Sequence, residues 1–130
     1  MHTKQKGDIG QLIVATDLTR RGWNIAFPYG ENIKYDLIAE KNGICRRVQV
    51  KAVTPKNGAL RVNCRSSNNW SVRSYKPNDF EVLAAVDLKN QNVYFIPSDR
   101  IKKNLMNLRL SPAKNEQKIN INFAEDFITF

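Results

Sequence analysis

Residues 34–51 read KYDLIAEKNGICRRVQVK, and the fold that we expect is built around this stretch. Two extended segments, 34–39 and 46–53, lie on either side of Asn42-Gly43. An Asn-Gly pair between alternating apolar residues is the strongest short signal for a β-hairpin, because both turn positions need a positive φ. We therefore predict two antiparallel strands that are joined at this pair.

The register of this hairpin follows from its symmetry. If the strands close symmetrically about the turn, Asp36 lies directly opposite Gln49. Opposed side chains share a face with Cβ atoms roughly 5 Å apart, and residues two apart on a strand share a face too, so Lys51 joins the pair. The other, core-seeking face then carries Tyr35, Leu37, Val48 and Val50. A slip by one residue would bury the charged set, so hydrophobicity favours the same register.

The three polar residues on this face have a chemistry that suits a cation. A carboxylate oxygen of Asp36, the amide oxygen of Gln49 and the main-chain carbonyl of Val50 are candidate ligands for one Mg²⁺ ion or another divalent cation. Water and phosphate complete the coordination in sites of this kind. Lys51 would orient and help to activate a water molecule, or neutralise charge that develops at a phosphate. An ordinary solvated strand surface is the alternative interpretation of the same residues.

The rest of the chain indicates a mixed α/β domain. Helical spacing predicts a helix over 8–21 that Gly22 ends, followed by an extended segment over 23–27. Residues 80–88 and 92–97 read as two strands, and the first should be central and buried. Residues 59–65 alternate as a strand, 66–78 read as a polar loop, and Ser98 or Asp99 caps a second helix that runs towards Asn107. The apolar residues of 119–130 should dock as an extended tail or small helix.

The composition argues against several classes of protein. A chain of 130 residues suffices for one domain with a sizeable core. It has no apolar run long enough to span a membrane and no signal-peptide pattern. Cys45 and Cys64 lack the spacing of a zinc knuckle and fit a reduced, cytoplasmic protein, and His2 is the single histidine. Zinc sites and serine–histidine catalysis are therefore not expected.

The positive charge is concentrated in residues 41–78, which we call the basic segment. It contains nine cations and no carboxylate, while the rest of the chain is balanced, so the net charge of +9 lies wholly in this segment. A localised basic field suits nucleic-acid phosphates and base edges. A solvated basic surface is the alternative.

Residues of the basic segment divide into two kinds of DNA contact. Arg61, Asn63 and Arg65 alternate onto one strand face, and Arg pairs well with guanine and Asn with adenine in the major groove. Lys56, Arg73 and Lys76 would hold phosphates, which sets position without reading sequence. Weaker candidates are Asn68, Asn69, Trp70, Lys102 and Lys103.

The opening stretch resembles the bipartite motif of the PD-(D/E)XK nucleases. Asp36 is followed by twelve residues and then by Gln49-Val50-Lys51, with YD in the place of PD and Gln where Asp or Glu is usual. The context matches as well: KGDIGQ, GWNIAFPYGENIKYDLIAEKNG, VQVK and DFEVLAAVDLKNQNVYFIPSDRI cover most of the first hundred residues. These segments resemble the bacterial branch that includes group I intron-encoded homing endonucleases, where Gln is accepted at that motif position.

This resemblance implies both a fold and an activity. The fold would be a restriction-endonuclease-like α/β core, with a central mixed β-sheet flanked by helices, in a single nuclease domain over residues 1–130. The activity would be Mg²⁺-dependent, sequence-specific cleavage of double-stranded DNA.

Position 11 departs from the family pattern. The helix of such enzymes commonly offers a Glu where this chain has Gln11, so Gln11 would be a catalytic and metal-binding position with a neutral amide. Because Gln49 is neutral too, Asp36 would be the sole carboxylate of the three matched positions. We hypothesise an impaired form, in which Gln11 replaces a glutamate and DNA is held intact. The alternative is a Gln with a structural role in the helix, and Asp8, one turn earlier, is a candidate to compensate.

The number of copies and the class of nuclease stay open. One active site cuts one strand, so a double-strand break requires a homo-oligomer, and we expect a dimer or tetramer on a pseudo-palindromic site. Apolar residues between Phe95 and Phe130 would form either its interface or the core. A Holliday-junction resolvase, a restriction enzyme and a non-catalytic nucleic-acid-binding module are the alternatives.

Overall fold

The computed structural model describes residues 1–67, 72–74, 78–111 and 121–130, with the backbone alone at 65–67 and 72–74. Its one α-helix in these ranges is α1 (Thr3–Arg20), which begins at Thr3 rather than at Asp8 as expected. The side chain of His2 explains the earlier start, because it accepts the main-chain N–H of Lys4 and caps the helix. Gly22, with φ of 89°, follows the helix as predicted. No helix of the described ranges is both long and apolar enough to cross a membrane.

The strands of the described ranges form three sheets. They are β1 (Asn24–Ala26), β2 (Leu37–Lys41), β3 (Ile44–Val53), β4 (Ala59–Asn63), β5 (Arg65–Ser67), β6 (Val72–Ser74), β7 (Val82–Asp87), β8 (Val93–Pro97), β9 (Leu105–Arg109) and β10 (Asn122–Phe123). The central sheet has the order β1-β2-β3-β7-β8, in which β3 and β7 are parallel and the other pairs antiparallel. The predicted α/β fold with a central mixed sheet is confirmed.

The β2–β3 hairpin has the predicted turn and register. Leu37 pairs with Val48 and Lys41 with Ile44, which is symmetric closure about Asn42-Gly43. Both turn residues have positive φ, 53° and 82°. Two consecutive positive φ values are the mark of a type I′ turn, whose twist matches that of the strands it joins.

Two apolar clusters lie on opposite faces of the central sheet. The first packs α1, through Val14 and Leu18, against Val48 and Val50 of β3. The second lies between the central sheet and a small three-stranded sheet with the order β10-β9-β4. All six residues of β7 are buried, as predicted for a central strand, because both of its faces are covered.

The expected second helix over residues 98–107 is wrong. Residues Ser98–Arg100 form only a short 3-10 helix, and β9 follows from Leu105. Met106 and Leu108 are buried while Leu105 and Asn107 are exposed, so the period is that of a strand. Pairing with β4 satisfies the backbone and lets β9 complete the second cluster.

The region after β4 also differs from the expectation of a polar loop over 66–78. Its described backbone forms a two-stranded antiparallel ribbon, in which Ser66 of β5 pairs with Arg73 of β6. The basic segment therefore continues from β4 into a second extended structure.

Most of the apolar residues towards the end of the chain are core rather than interface. Phe95, Met106, Leu108 and Phe127 are buried. Phe130 packs edge-on against Trp23 and Phe95, with ring centroids 4.9 and 5.1 Å apart. Leu105 and Ile128 are the members of this group that are more than a third exposed in the described ranges.

Candidate active site

Strand β3 directs alternate side chains to opposite sides of the central sheet. Val48 and Val50 are buried beneath α1, whereas Gln49 and Lys51 are half-buried on the other face. Gln49 is paired with Leu83 and Lys51 with Ala85 on β7, and both of these partners belong to the second cluster. The predicted alternation of β3 is therefore present, and Gln49 and Lys51 share a face.

Asp36 lies one residue before β2 and forms two hydrogen bonds with the backbone of β3. Its main-chain N–H donates to the carbonyl of Val48 at 2.8 Å. Its Oδ2 accepts the main-chain N–H of Val50 at 2.7 Å. Residues two apart on a strand direct their N–H and C=O groups to the same neighbour, so the Val50 groups point to the β2 side. Since β2 starts at Leu37, a side-chain carboxylate takes the place of a strand partner there.

The strand alternation stops before β2, which corrects two expectations. Strand pairing ends at Leu37 and Val48, so Asp36 is not the paired partner of Gln49 as predicted. Tyr35 was predicted on the same face as Leu37, but it packs against the second cluster. The chain at Tyr35 and Asp36 is not in a strand, so the period of two does not apply to it.

Helix α1 brings Gln11 into the same site. The Nε2 of Gln11 donates to Oδ1 of Asp36 at 3.2 Å. Gly10 allows this approach, because a Cβ at that position would lie 2.9 Å from Cβ of Ala52 and 3.3 Å from Cγ1 of Val50. Asp8 does not reach the site; it forms an exposed ion pair with Lys4 at 3.5 Å.

Burial shapes the electrostatics of the two charged groups. Desolvation raises the pKa of Asp36, while the hydrogen bond from Val50 and the charge of Lys51 oppose this rise. Desolvation lowers the pKa of Lys51, and the nearby Asp36 opposes that fall. The two groups interact and share a partly desolvated environment.

Cys64 lies near the site, although its sequence spacing was informative only about zinc binding and redox state. It is buried, and burial raises the pKa of its thiol while the charge of Lys51 lowers it. Its sulfur lies 3.6 Å from the Val62 carbonyl. Nothing in its sequence neighbourhood indicates proximity to Lys51, because Cys64 directly follows β4, which belongs to another sheet than β3.

The donors at this site suit a hard cation with few protein ligands. The Gln49 side chain reaches the carbonyl of Val50, with Nε2 at 3.4 Å from that oxygen, so amide and carbonyl lie together. Asp36 adds a carboxylate and Gln11 a second amide. Mg²⁺ binds oxygen donors and keeps several waters, so the oxygen set fits it. The described residues contain no group of three or more His, Cys, Asp or Glu side chains that would hold a metal, so the anionic charge available to the cation is small.

The predicted DNA contacts fall on different parts of the structure. Arg61 and Asn63 are exposed on β4, and their neighbours Leu60 and Val62 point into the core. Lys56 is exposed beside the Asn57-Gly58 turn and pairs with Ala59. The predicted strand over 59–65 is divided, because β4 ends at Asn63 and Arg65 begins β5 in another sheet. Arg73 lies on β6 by its backbone, and Lys76, Asn68, Asn69 and Trp70 lie outside the described residues.

Comparison with known proteins places this geometry in a family. A model of the PD-(D/E)XK endonucleases matches residues 1–130. Protein 5.3 of Escherichia phage T7 is 28% identical in an alignment of 103 residues that covers 74% of this chain and 80% of that protein. The bacterial homing endonuclease I-Ssp6803I has a similar structure, with a TM-score of 0.79 and 27% sequence identity over 98% of this chain and 88% of its own. The chain belongs to the PD-(D/E)XK endonuclease family, as its hairpin motif predicted.

Proposed function

We propose that this chain is a divalent-metal-dependent endonuclease that makes double-strand breaks at a preferred DNA sequence, in the manner of a homing endonuclease. The observation that carries the proposal is the convergence of Gln11, Asp36 and Val50, linked by hydrogen bonds, beside Lys51. Family membership and the similarity to I-Ssp6803I support the reaction class.

The reaction is hydrolysis of a phosphodiester. A water oxygen attacks phosphorus, the bond from phosphorus to the leaving oxygen breaks, and the leaving oxygen takes up a proton. A bound Mg²⁺ would lower the pKa of water and stabilise negative charge on the phosphate oxygens. Asp36, Gln49 and Val50 would hold that ion through their oxygens, and the hydrogen bond from the Val50 N–H fixes the orientation of the Asp36 carboxylate.

Lys51 is the residue that we assign to the proton and charge changes. Because burial lowers its pKa, more of its population is neutral near neutral pH than for an exposed lysine. In the neutral form its Nζ accepts a proton from the attacking water, and in the charged form it stabilises the phosphate that gains negative charge. Its place two residues after Gln49 puts both on the same face of β3.

Gln11 limits this activity in our proposal. It occupies a position from which a carboxylate would reach the same site as Asp36, but it presents an amide whose N–H₂ bonds to Asp36. A Glu there would add an anionic ligand and strengthen cation binding. We therefore propose that the chain is an impaired nuclease that binds DNA more readily than it cuts it.

The partner in this proposal is duplex DNA, bound by a homo-oligomer. Arg61, Asn63 and Arg65 would read bases, and Lys56, Arg73 and Lys76 would contact phosphates. A dimer or tetramer would place one active site on each strand of a pseudo-palindromic target.

A non-catalytic DNA-binding module is the second candidate. It is favoured by the small number of acidic groups, since Asp36 is the one carboxylate of the matched site. This candidate keeps the basic surface but requires no cation beside Asp36.

Cleavage of a random-sequence duplex library with Mg²⁺ tests the proposal and separates the candidates. The chain and its Gln11→Glu variant are compared, with Asp36→Asn in both backgrounds as the control. We expect slow, sequence-selective double-strand cleavage by the chain, faster cleavage by Gln11→Glu, and a large loss of cleavage in both backgrounds when Asp36 is replaced. A Gln11→Glu variant that cuts no DNA would favour the non-catalytic module, and preference for a four-way junction over linear duplex would favour a resolvase.

A further inference from the structure

The outer face of the small sheet carries polar side chains on two neighbouring strands. Strand β9 pairs with β4 so that Asn107 lies directly opposite Arg61 and Leu105 opposite Asn63. Directly opposed residues of antiparallel strands share a face. All four are exposed, while Met106 and Leu108 point into the core. Because the sequence predicts a helix here, it does not place Asn107 beside Arg61.

A basic cleft adjoins this face. It has a volume of about 710 Å³, and Leu105 and Asn107 are among the residues that line it. Its described lining also contains four cations, Arg100, Lys102, Lys103 and Arg109, and no carboxylate. The cleft and the polar face are continuous, because the same β9 residues contribute to both.

Arg109 supplies an unsatisfied donor in the cleft lining. Its Nε is buried and has no hydrogen-bond partner in the part of the chain that the structure describes. A buried donor of this kind costs free energy. Because Nε itself is enclosed, a phosphate in the cleft would meet the positive charge of the half-buried Arg109 side chain rather than this donor.

We propose that β4 and β9 together form a two-stranded base-reading ribbon, in which Asn107 contacts the base pair next to the one that Arg61 reads, and that the adjoining cleft binds the DNA backbone. This inference rests on the proposed function and extends its DNA contacts to β9. Strand β10 pairs with β9 only at Leu108 and Arg109, so the sheet is two-stranded at Arg61 and Asn107. A two-stranded ribbon fits the major groove, where Asn pairs with adenine and Arg with guanine. Opposed Cβ atoms lie about 5 Å apart and successive bases about 3.4 Å apart along a strand, so the two side chains reach neighbouring base pairs.

The chemistry of this surface favours nucleic acid over a protein partner. Its exposed groups are cations and amides. Leu105, which is 42% exposed, is the one exposed large hydrophobic residue on the described β4–β9 face. The centre of a protein–protein interface is instead depleted of charge. Phosphates bind the cations on this face, and base edges form hydrogen bonds with its amides.

The test measures DNA binding in EDTA, so that it does not depend on cleavage. Bound duplexes are selected from a random-sequence library with the unmodified chain, Asn107→Ala and Asn107→Asp. We expect Asn107→Ala to relax the preference at one base pair by roughly 5- to 100-fold. Asn107→Asp should move that preference from adenine towards cytosine, whose amino group donates to a carboxylate. Asn90→Ala, in the exposed turn between β7 and β8, is the matched control and should leave the preference unchanged.

The cleft is tested by the salt dependence of affinity for one fixed duplex. Lys102→Ala and Lys103→Ala should each weaken binding uniformly across sequences and reduce the slope of log affinity against log salt by about 1. Lys89→Ala, a turn lysine outside the cleft, should change neither.

The possible outcomes are distinct. Unchanged base preference in both Asn107 variants, together with unchanged salt slopes, would overturn the inference. The inference would also be overturned if the Asn107 variants kept their base preference but changed their oligomeric state in sedimentation. That result would make this face a protein interface. A chain that binds no duplex in EDTA would refute this inference together with the DNA partner of the proposed function. Selective binding that depends on Asn107, without Mg²⁺-dependent cleavage even by Gln11→Glu, would support the inference and refute only the nuclease proposal.

Discussion

The carboxylate of Asp36 accepts the main-chain N–H of Val50 at 2.7 Å, where a neighbouring strand would otherwise provide the acceptor. This hydrogen bond holds the Asp36 carboxylate at Val50, whose carbonyl is another of the oxygen groups that we assign to a cation. This contact needs β2 to begin at Leu37, because a longer strand would pair with Val50 through its backbone. Because β2 begins only at Leu37, the Val50 N–H is available to bind the Asp36 carboxylate.

Replacement of Gln11 by Glu should raise Mg²⁺-dependent cleavage by about tenfold or more, because an anionic ligand joins the site. Two carboxylates in contact repel each other without a cation. The variant should therefore be less stable than the unmodified chain in EDTA and gain more stability on addition of Mg²⁺. Thermal unfolding with and without Mg²⁺ measures this second effect independently of activity.

Gln5→Glu is the matched control for this substitution. It adds the same charge to an exposed position of α1 and preserves an acceptor for the His2 N–H. Equal cleavage rates and equal Mg²⁺ responses for the Gln11 and Gln5 variants would remove Gln11 from the site.

Replacement of Asp36 by Asn should lower cleavage by at least about 100-fold, since the one carboxylate of the site is lost. The same change should stabilise the metal-free chain at neutral pH, because burial raises the pKa of Asp36 above its ordinary value of 3.8 and makes its charged form unfavourable.

The pH dependence of this stability difference has a definite sign. A group whose pKa is higher in the folded state binds more protons when folded, so its cost appears as the pH rises through the folded pKa. The cost is absent below 3.8. The unfolding temperatures of the chain and of Asp36→Asn should therefore converge as the pH falls towards this value. If the difference between the two unfolding temperatures stayed constant across this pH range, ionisation of Asp36 would not be the cause of the stability difference.

Replacement of Lys51 by Met should lower cleavage by about 100- to 1000-fold, because the site loses its proton acceptor and its positive charge. Single-turnover cleavage of a preferred duplex measures the chemical step. Lys34→Met, on the segment before β2, serves as the control for loss of one positive charge and should retain most activity. If the two variants lose activity equally, Lys51 acts only through general attraction for DNA.

Replacement of Gly10 by Ala should move α1 away from β3, because the new Cβ would lie 2.9 Å from that of Ala52. Overpacking of this kind costs about 1 to 3 kcal/mol, against which the gain of about 1 kcal/mol in helix propensity is the smaller effect. Denaturant unfolding should show the net loss, and the Gln11→Glu variant should lose part of its gain in activity when Gly10→Ala is added.

Gly7→Ala on the same helix is a close control. A Cβ at Gly7 would have no heavy atom within 4 Å, so this substitution should stabilise the helix through propensity alone. If Gly10→Ala and Gly7→Ala changed the free energy of unfolding by the same amount, the approach of α1 to β3 would not be tight.

The sequence by itself determined the hairpin that carries the site. Asn42-Gly43 imposes a positive φ at both turn positions, and the alternation of Val48 and Val50 with Gln49 and Lys51 selects one register. Both effects act between residues close in the chain, so they can be inferred without tertiary structure. The central position of β7 was equally evident, because an unbroken apolar run requires cover on both faces.

Tertiary structure alone decided how the other parts meet that hairpin. Residues 105–109 alternate as a strand, yet the sequence before them offered a helix cap, and the choice was made by pairing with the distant β4. The contact of Gln11 with Asp36 depends on how closely α1 packs at Gly10, and the proximity of Cys64 to Lys51 on how the two sheets stack. Local propensity and period describe one segment at a time. The positions of segments relative to each other follow from which surfaces pack together, and that is set by the chain as a whole.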